Sequence, residues 1–156
     1  MVKILPLITE PNPLLRKKSV EIDEKIIKSR DFLDFCEDLA KTMYKNDGIG
    51  IAASQVGQNI RLFVVNIDKK PEFFINPKIV KKSWAREEGE EGCLSVPKTF
   101  GQVSRHKKIT CIYLDLKGKK KRLDADEMTA RVIQHENDHL DGILFIDKAT
   151  EIRKSK

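Results

Sequence analysis

The segment Gln134-His135-Glu136-Asn137-Asp138-His139 constrains this chain more than any other. It contains His-Glu-x-x-His. In a helix, residues four apart share a face, so both imidazoles can reach one ion. Met128, Val132, His135 and His139 continue a single stripe at spacings of four, three and four. The histidines therefore extend an apolar face and point inward. Two buried imidazoles without partners would be costly, and a metal removes that cost. Glu136 lies about 100° around the helix from His135. From there it borders the open side of the ion without being a ligand, as a base for a metal-held water must. The competing explanation is two histidines on a surface helix beside a chance glutamate. Two of the chain's three histidines fall in this one pattern, which chance rarely supplies. His106, alone between Arg105 and Lys107, reads as a solvated loop or strand-edge residue.

The helix carrying the pattern should begin at Asp124, with Glu127 completing a capping-box-like pair, and run to about Leu140, with Gly142 just past its end. Upstream, Pro6, Pro11 and Pro13 predict an extended or turning start. Residues 24–44 read as one helix with Phe32, Cys36, Leu39 and Met43 on its buried stripe, closed by Asn46-Asp47-Gly48. Residues 61–68 read as a strand. Short strands follow near 73–75 and 77–80, then a strong one over 108–116 that turns at Lys117-Gly118 into 119–123. Cys36 and Cys111 fall on packed positions of this scheme. Helix, strands, helix predicts an α+β fold: mostly antiparallel strands packed around a C-terminal metal-binding helix, with an N-terminal helix. At 156 residues, 1–156 reads as a single metallohydrolase domain.

A third ligand is needed. Zinc proteases with this pattern take it downstream, but only Glu151 is a later glutamate and no histidine follows His139. Cys93, in Glu91-Gly92-Cys93-Leu94-Ser95-Val96-Pro97, is the best upstream candidate. Gly92 and Pro97 do not favour regular structure, which puts the thiol in a shaped turn or bulge. On the residues alone, a free buried cysteine accounts for Cys93 equally well.

Three motifs in order make the chain closely resemble peptide deformylase: Gly48-Ile49-Gly50-Ile51-Ala52-Ala53-Ser54-Gln55, Glu91-Gly92-Cys93-Leu94-Ser95, and Gln134-His135-Glu136-Asn137-Asp138-His139-Leu140. The proline-rich start and Ile75-Asn76-Pro77 extend the likeness over nearly the whole chain. Ile51 stands where leucine is usual. Only nine residues follow Asp147, where many relatives carry a further helix. The resemblance implies removal of the formyl group from N-formylmethionine at the start of new polypeptides, releasing formate. It implies a divalent metal on Cys93, His135 and His139: iron(II), with zinc, nickel or cobalt able to substitute. It makes Glu136 the acid/base, and the Gln55 side chain and Leu94 backbone N–H the oxyanion donors. The peptide should lie extended between Ile49 and Gly50 on one side and Gly92 on the other. Met128 and Val132 are then candidate walls of a methionine pocket, a role no better founded than plain core. Asp138 is either a support for the ligands or an exposed helix residue.

Other readings compete with this one. A zinc endopeptidase would need the missing downstream ligand. A non-catalytic ribosome-associated module would use the formal net charge of +6. The basic runs at 117–122 and 153–156 suit a solvated hairpin and tail as well as a ribosome surface. Gly48-x-Gly50-x-x-Ala53 fits a loose dinucleotide fingerprint, but a helix precedes it and a strand follows, the reverse of what that fold requires, so no nucleotide cofactor is expected. No stretch approaches the ~18 apolar residues of a membrane span. Three cysteines without a secretory signal suggest a reducing compartment: the cytoplasm, or an organelle if a transit segment has been removed.

Overall fold

A computed structural model describes residues 2–155. The predicted N-terminal helix is two helices. α1 (Glu24–Ile27) stops at Lys28, and α2 (Arg30–Lys45) restarts behind Ser29, whose Oγ accepts the Phe32 N–H at 3.3 Å. The Ser29 hydroxyl satisfies a first-turn N–H that no carbonyl can reach, which makes a local restart cheap. α2 ends as the Gly48 N–H reaches back to the Met43 carbonyl, with Asp47 in the left-handed conformation (φ 57°).

The strands follow: β1 (Gly50–Ala52), β2 (Leu62–Ile67), β3 (Lys70–Lys82), β4 (Arg86–Cys93), β5 (Val96–His106), β6 (Lys108–Leu114), β7 (Lys120–Asp126), then α3 (Glu127–Leu140) and β8 (Thr150–Lys154). They form a five-stranded sheet in the order β1-β2-β3-β6-β7 and a three-stranded sheet β4-β5-β8. Every paired strand is antiparallel. The fold is thus α+β, with α3 against the larger sheet, as the element order predicts. No helix among the described residues is long and apolar enough to cross a membrane.

In β2, Leu62, Phe63, Val64 and Val65 are all buried. Because side chains alternate across a strand, such a run must be covered on both faces. Leu62 and Val64 join Ile51, Phe73 and Ile75 against the Phe32, Cys36, Leu39 and Met43 stripe of α2. Phe63 and Val65 join Phe74, Cys111 and Tyr113 against Ala130, Val132, Ile133 and Leu140 of α3. Phe63 and Phe74 stack with centroids 4.8 Å apart. Each large side chain removed from water stabilises the layers by about 1.5–3 kcal/mol. A third cluster of Leu15, Val96, Val103, Leu144 and Phe145 fastens the smaller sheet to the region after α3. α3 therefore lies between the two sheets.

Several boundaries differ from expectation. The short strands near 73–75 and 77–80 are one strand, β3, irregular in register between Ile75 and Lys78 where Asn76 takes φ 48°. Asp124 is not the N-cap: it lies in β7 and accepts the Thr110 hydroxyl at 2.6 Å, while Asp126 precedes α3. β1, β4, β5 and β8 were not predicted. Glu and Gly disfavour strands, yet Arg-Glu-Glu-Gly-Glu-Glu-Gly-Cys is held as β4 by its ladder to β5. Cys93 is the last residue of that strand, not part of a free turn. An irregularity nevertheless falls between Gly92 and Cys93, where Cys93 pairs Val96 while Gly92 pairs Phe100.

Candidate metal centre

α3 turns His135 and His139 to one side, their ring centroids 5.1 Å apart and nearly perpendicular at 69°. β4 delivers Cys93 to the same place, with Sγ 3.3 Å from Nε2 of His139. One donor atom from each of the three residues lies within 4.8 Å of the others. Metal–sulfur and metal–nitrogen bonds of about 2.0–2.3 Å set tetrahedral donors roughly 3.5 Å apart, so one ion fits among them with modest adjustment. A thiolate and two imidazoles suit a first-row divalent ion. Burial, reinforced by the neighbouring His135, pushes His139 well below its ordinary pKa; burial lowers His135 too, but its bonds to Cys93 and Glu91 outweigh that and raise it to about 10 without a metal.

Glu136 is 3% exposed, and its Oε1 has no hydrogen-bond partner among the described residues. A buried oxygen without a donor is unusual. Burial pushes this carboxyl up to about 7, against the lowering effect of His135. Gly50 makes the room: a Cβ there would meet Glu136 Oε2 at 2.8 Å and Val132 Cγ1 at 2.9 Å. The residue that must be glycine is thus in β1, opposite the helix it serves.

Gln55 sits in the short 3₁₀ turn Ala53–Val56. Its Oε1 accepts the Ala52 N–H at 2.9 Å, and its Nε2 reaches Ser95 Oγ at 3.1 Å and Cys93 Sγ at 3.5 Å. The amide is thereby fixed with its donor end toward the ligands. Leu94 occupies the turn between β4 and β5, its side chain packed against the α2-side core. A cleft of about 640 Å³ opens onto this group. Ile49, Gly50, Gln55, Gly92, Cys93, Leu94, Met128, Val132, His135 and Glu136 all line it, whereas His139 lies behind. Met128 is 60% exposed, so plain core does not describe it; Val132 is buried beneath the cleft.

Glu91, Arg105 and Arg131, which brace the candidate ligands, have no role predicted from the sequence. Glu91 Oε1 accepts the Nδ1–H of His135 at 2.8 Å. The same carboxylate accepts Arg105 at 2.9 Å through both oxygens and Arg131 at 2.7 Å. Burial raises its pKa, but the bonds and charges from Arg105 and His135 outweigh that and hold it at about 2. Arg105 also donates to Asp138 at 2.6 Å, and Lys148 lies 3.0 Å from that carboxylate. Asp138 is therefore tied down beside the ligands and not freely exposed. Glu91 was detectable in principle: it stands two residues before Cys93, so a strand there puts both on one face. Arg105 and Arg131 carry no local signal. His106 closes β5, with its ring held between the Ser83 carbonyl and Arg86.

Comparison with known proteins agrees over nearly the full chain. The family model described as polypeptide deformylase matches residues 4–155. The peptide deformylase of Pseudothermotoga lettingae is 44% identical over 154 residues, covering 99% of this chain and 86% of that one. The crystal structure of peptide deformylase from Thermotoga maritima superposes with a TM-score of 0.90 at 35% identity, covering 94% and 98% of the two chains. The Met-Ala-Ser-bound class I type b peptide deformylase of Acinetobacter baumannii gives a TM-score of 0.92 at 31% identity, covering 95% and 99%.

Proposed function

Because the chain belongs to the polypeptide deformylase family, we propose that its cleft is the site where it removes the formyl group from N-formylmethionine at the N-terminus of newly made polypeptides. The enzyme is metal-dependent, like its family. We assign the ion to Cys93, His135 and His139, and iron(II) as the ion used in the cell, with zinc, nickel or cobalt able to replace it. When bound, such an ion supplies Lewis acidity to water and to the formyl oxygen.

The protein's own groups do the rest. Glu136 accepts a proton from the attacking water at its buried carboxylate, and the water oxygen bonds to the formyl carbon. The Gln55 Nε2–H₂ and the Leu94 N–H stabilise the charge that develops on the formyl oxygen. Losing one such donor typically costs about 3 kcal/mol of barrier. Glu136 then gives its proton to the departing nitrogen as the C–N bond breaks, leaving formate and a free amine. Raised to about 7 by burial, this carboxyl can take and return a proton near neutrality. Ile49 and Gly50 on one side and Gly92 on the other hold the peptide extended by backbone hydrogen bonds, and Met128 and Val132 wall the methionine side chain. A downstream ligand of the endopeptidase kind is not needed, since Cys93 completes the set. We further assign the basic surface to contact with the ribosome, where the substrate emerges, in the cytoplasm of a bacterial-type cell.

The single observation that carries this assignment is the unpartnered, buried Glu136 oxygen beside three convergent ligands. The test is formate release from formyl-Met-Ala-Ser, with metal analysis of the same sample. Glu136→Gln should retain the metal and lose about 10³-fold or more in kcat, as removal of an essential acid/base does. A fully metallated wild type that releases no formate, or a Glu136→Gln enzyme that keeps its rate, would end the assignment.

A further inference from the structure

The sole tryptophan of the chain, Trp84, is 98% exposed. It stands at the tip of the connection from β3 to β4, close to the start of α3, where the Glu127 N–H donates to the Lys107 carbonyl at 3.1 Å. Around it lie Lys81, Lys82, Arg86, Lys107 and Lys108, all exposed. None of these five has a carboxylate within salt-bridge distance among the described residues; the nearby Asp124 is engaged by Thr110 and Arg122. Asp126, opposite Lys108, Glu127, whose N–H meets the Lys107 carbonyl, and Glu87 and Glu88, after Arg86, are further acids close by.

The tip is braced. The Ser83 N–H donates to the Lys108 carbonyl at 2.8 Å, and the Lys107 N–H to the Ala85 carbonyl at 3.0 Å. The Ser83 hydroxyl donates to the Ala85 carbonyl at 2.8 Å and accepts the Lys108 N–H at 3.0 Å. The His106 Nδ1–H donates to the Ser83 carbonyl at 2.7 Å, which leaves Nε2 to accept from Arg86 at 2.9 Å. Arg86 is thus anchored to β5 by neutral acceptors, which leave its charge uncompensated. A large ring in water, carried on a braced turn with exposed, unpaired cations nearby, has the chemistry of a stacking platform in an electrostatic funnel. An anionic partner with flat faces satisfies both halves of it, and a nucleic acid strand has both. A membrane would engage the charge, but a single tip residue offers it little apolar area.

We propose that the Trp84 tip is a single-stranded RNA contact: one base stacks on the indole, and Lys81, Lys82, Arg86, Lys107 and Lys108 pair with the flanking phosphates. This adds a basic patch distinct from the 117–122 and 153–156 runs; it rests on the reading that the protein meets the ribosome, but not on the deformylase chemistry. Because Trp84 is the only indole, its fluorescence reports the contact directly. The metal-loaded enzyme is titrated with a twelve-residue oligouridylate, and separately with anionic phosphatidylglycerol vesicles. RNA should quench Trp84. Neutralising about four phosphates should weaken binding roughly 50-fold between 50 and 200 mM salt. Measured by anisotropy of labelled RNA, Trp84→Ala should lose affinity about 5-fold or more, and Trp84→Phe should restore part of it. Lys81→Glu/Lys82→Glu should weaken binding further. All three variants should keep wild-type kcat/KM on formyl-Met-Ala-Ser, which separates failure of the RNA contact from failure of the enzyme assignment. RNA affinity unchanged in Trp84→Ala, no quenching at 50 mM salt, or a fluorescence blue shift with vesicles and none with RNA would each overturn the proposal.

Discussion

Glu91 Oε1 lies 2.8 Å from Nδ1 of His135, although 44 residues separate them in the chain. With His135 as the proposed ligand, the bond would hold the proton on Nδ1 and leave Nε2 free for a metal. Arg105 and Arg131 saturate the remaining carboxylate positions, so Glu91 cannot turn away. Glu91→Ala should therefore reduce metal affinity by about 10–100-fold. Competition with a chelator checks this, with wild-type retention as the outcome that refutes it.

The same residue sets an acid limit. In the metal-free protein Glu91 titrates at about 2, below its unfolded value near 4.5. A carboxyl depressed by folding stabilises the native state above its unfolded pKa, and that contribution disappears as pH falls through the folded one. Stability should drop by on the order of 3 kcal/mol between about pH 4.5 and 2 on this account. Denaturant melts of the metal-free protein across that window should show the slope, and Glu91→Gln should flatten it.

Gly50→Ala tests the fit between β1 and the base. The new methyl would lie 2.8 Å from Glu136 Oε2, so the carboxylate or the strand must shift. A displacement of about 1 Å at a reacting group can cost 10²-fold. Formate release should fall by about that factor while circular dichroism stays native; an unaltered rate would show that Glu136 has slack.

Gly142 makes a purely structural demand. It takes φ +74°, and a Cβ there would meet the Arg16 carbonyl oxygen at 2.3 Å. Backbone cannot yield as a side-chain tip does. Gly142→Ala should destabilise by more than about 2 kcal/mol, visible as a lowered Tm with metal bound.

The thiols should separate in reactivity. Burial pushes Cys36 and Cys111 up to about 12, and both pack in the cores flanking the large sheet. Cys93 lines the cleft and is only half-buried. A thiol reagent should modify one cysteine rapidly in the native metal-free protein, and slowly once metal is added. Rapid reaction of two or three would contradict the packing.

Short-range pattern was sufficient for part of this molecule. The i, i+4 spacing of His135 and His139 needs only a helix to become a ligand pair, and Glu136 inherits its place from the same geometry. The stripe of Phe32, Cys36, Leu39 and Met43 was readable for the same reason, as was the antiparallel α+β class. Cys93 was a candidate only. No local rule distinguishes a thiol that meets two imidazoles from one that is merely buried; the family motifs pointed to it, and the β4–β5 ladder brings it there. The Glu- and Gly-rich β4 carried no strand signal, because its conformation comes from its partner and not from its own preferences. The network of Glu91, Arg105 and Arg131 was equally silent, and for Asp138 the pattern allowed both support and exposure. Charged side chains look alike on a solvated face and in a buried ion cluster, and only the packing of the small sheet against α3 separates the two. Spacing along the backbone is fixed once a helix forms, so it can be read in advance. Contacts across 40 residues depend on how whole layers meet, and that is settled by burial of both faces of the large sheet at once.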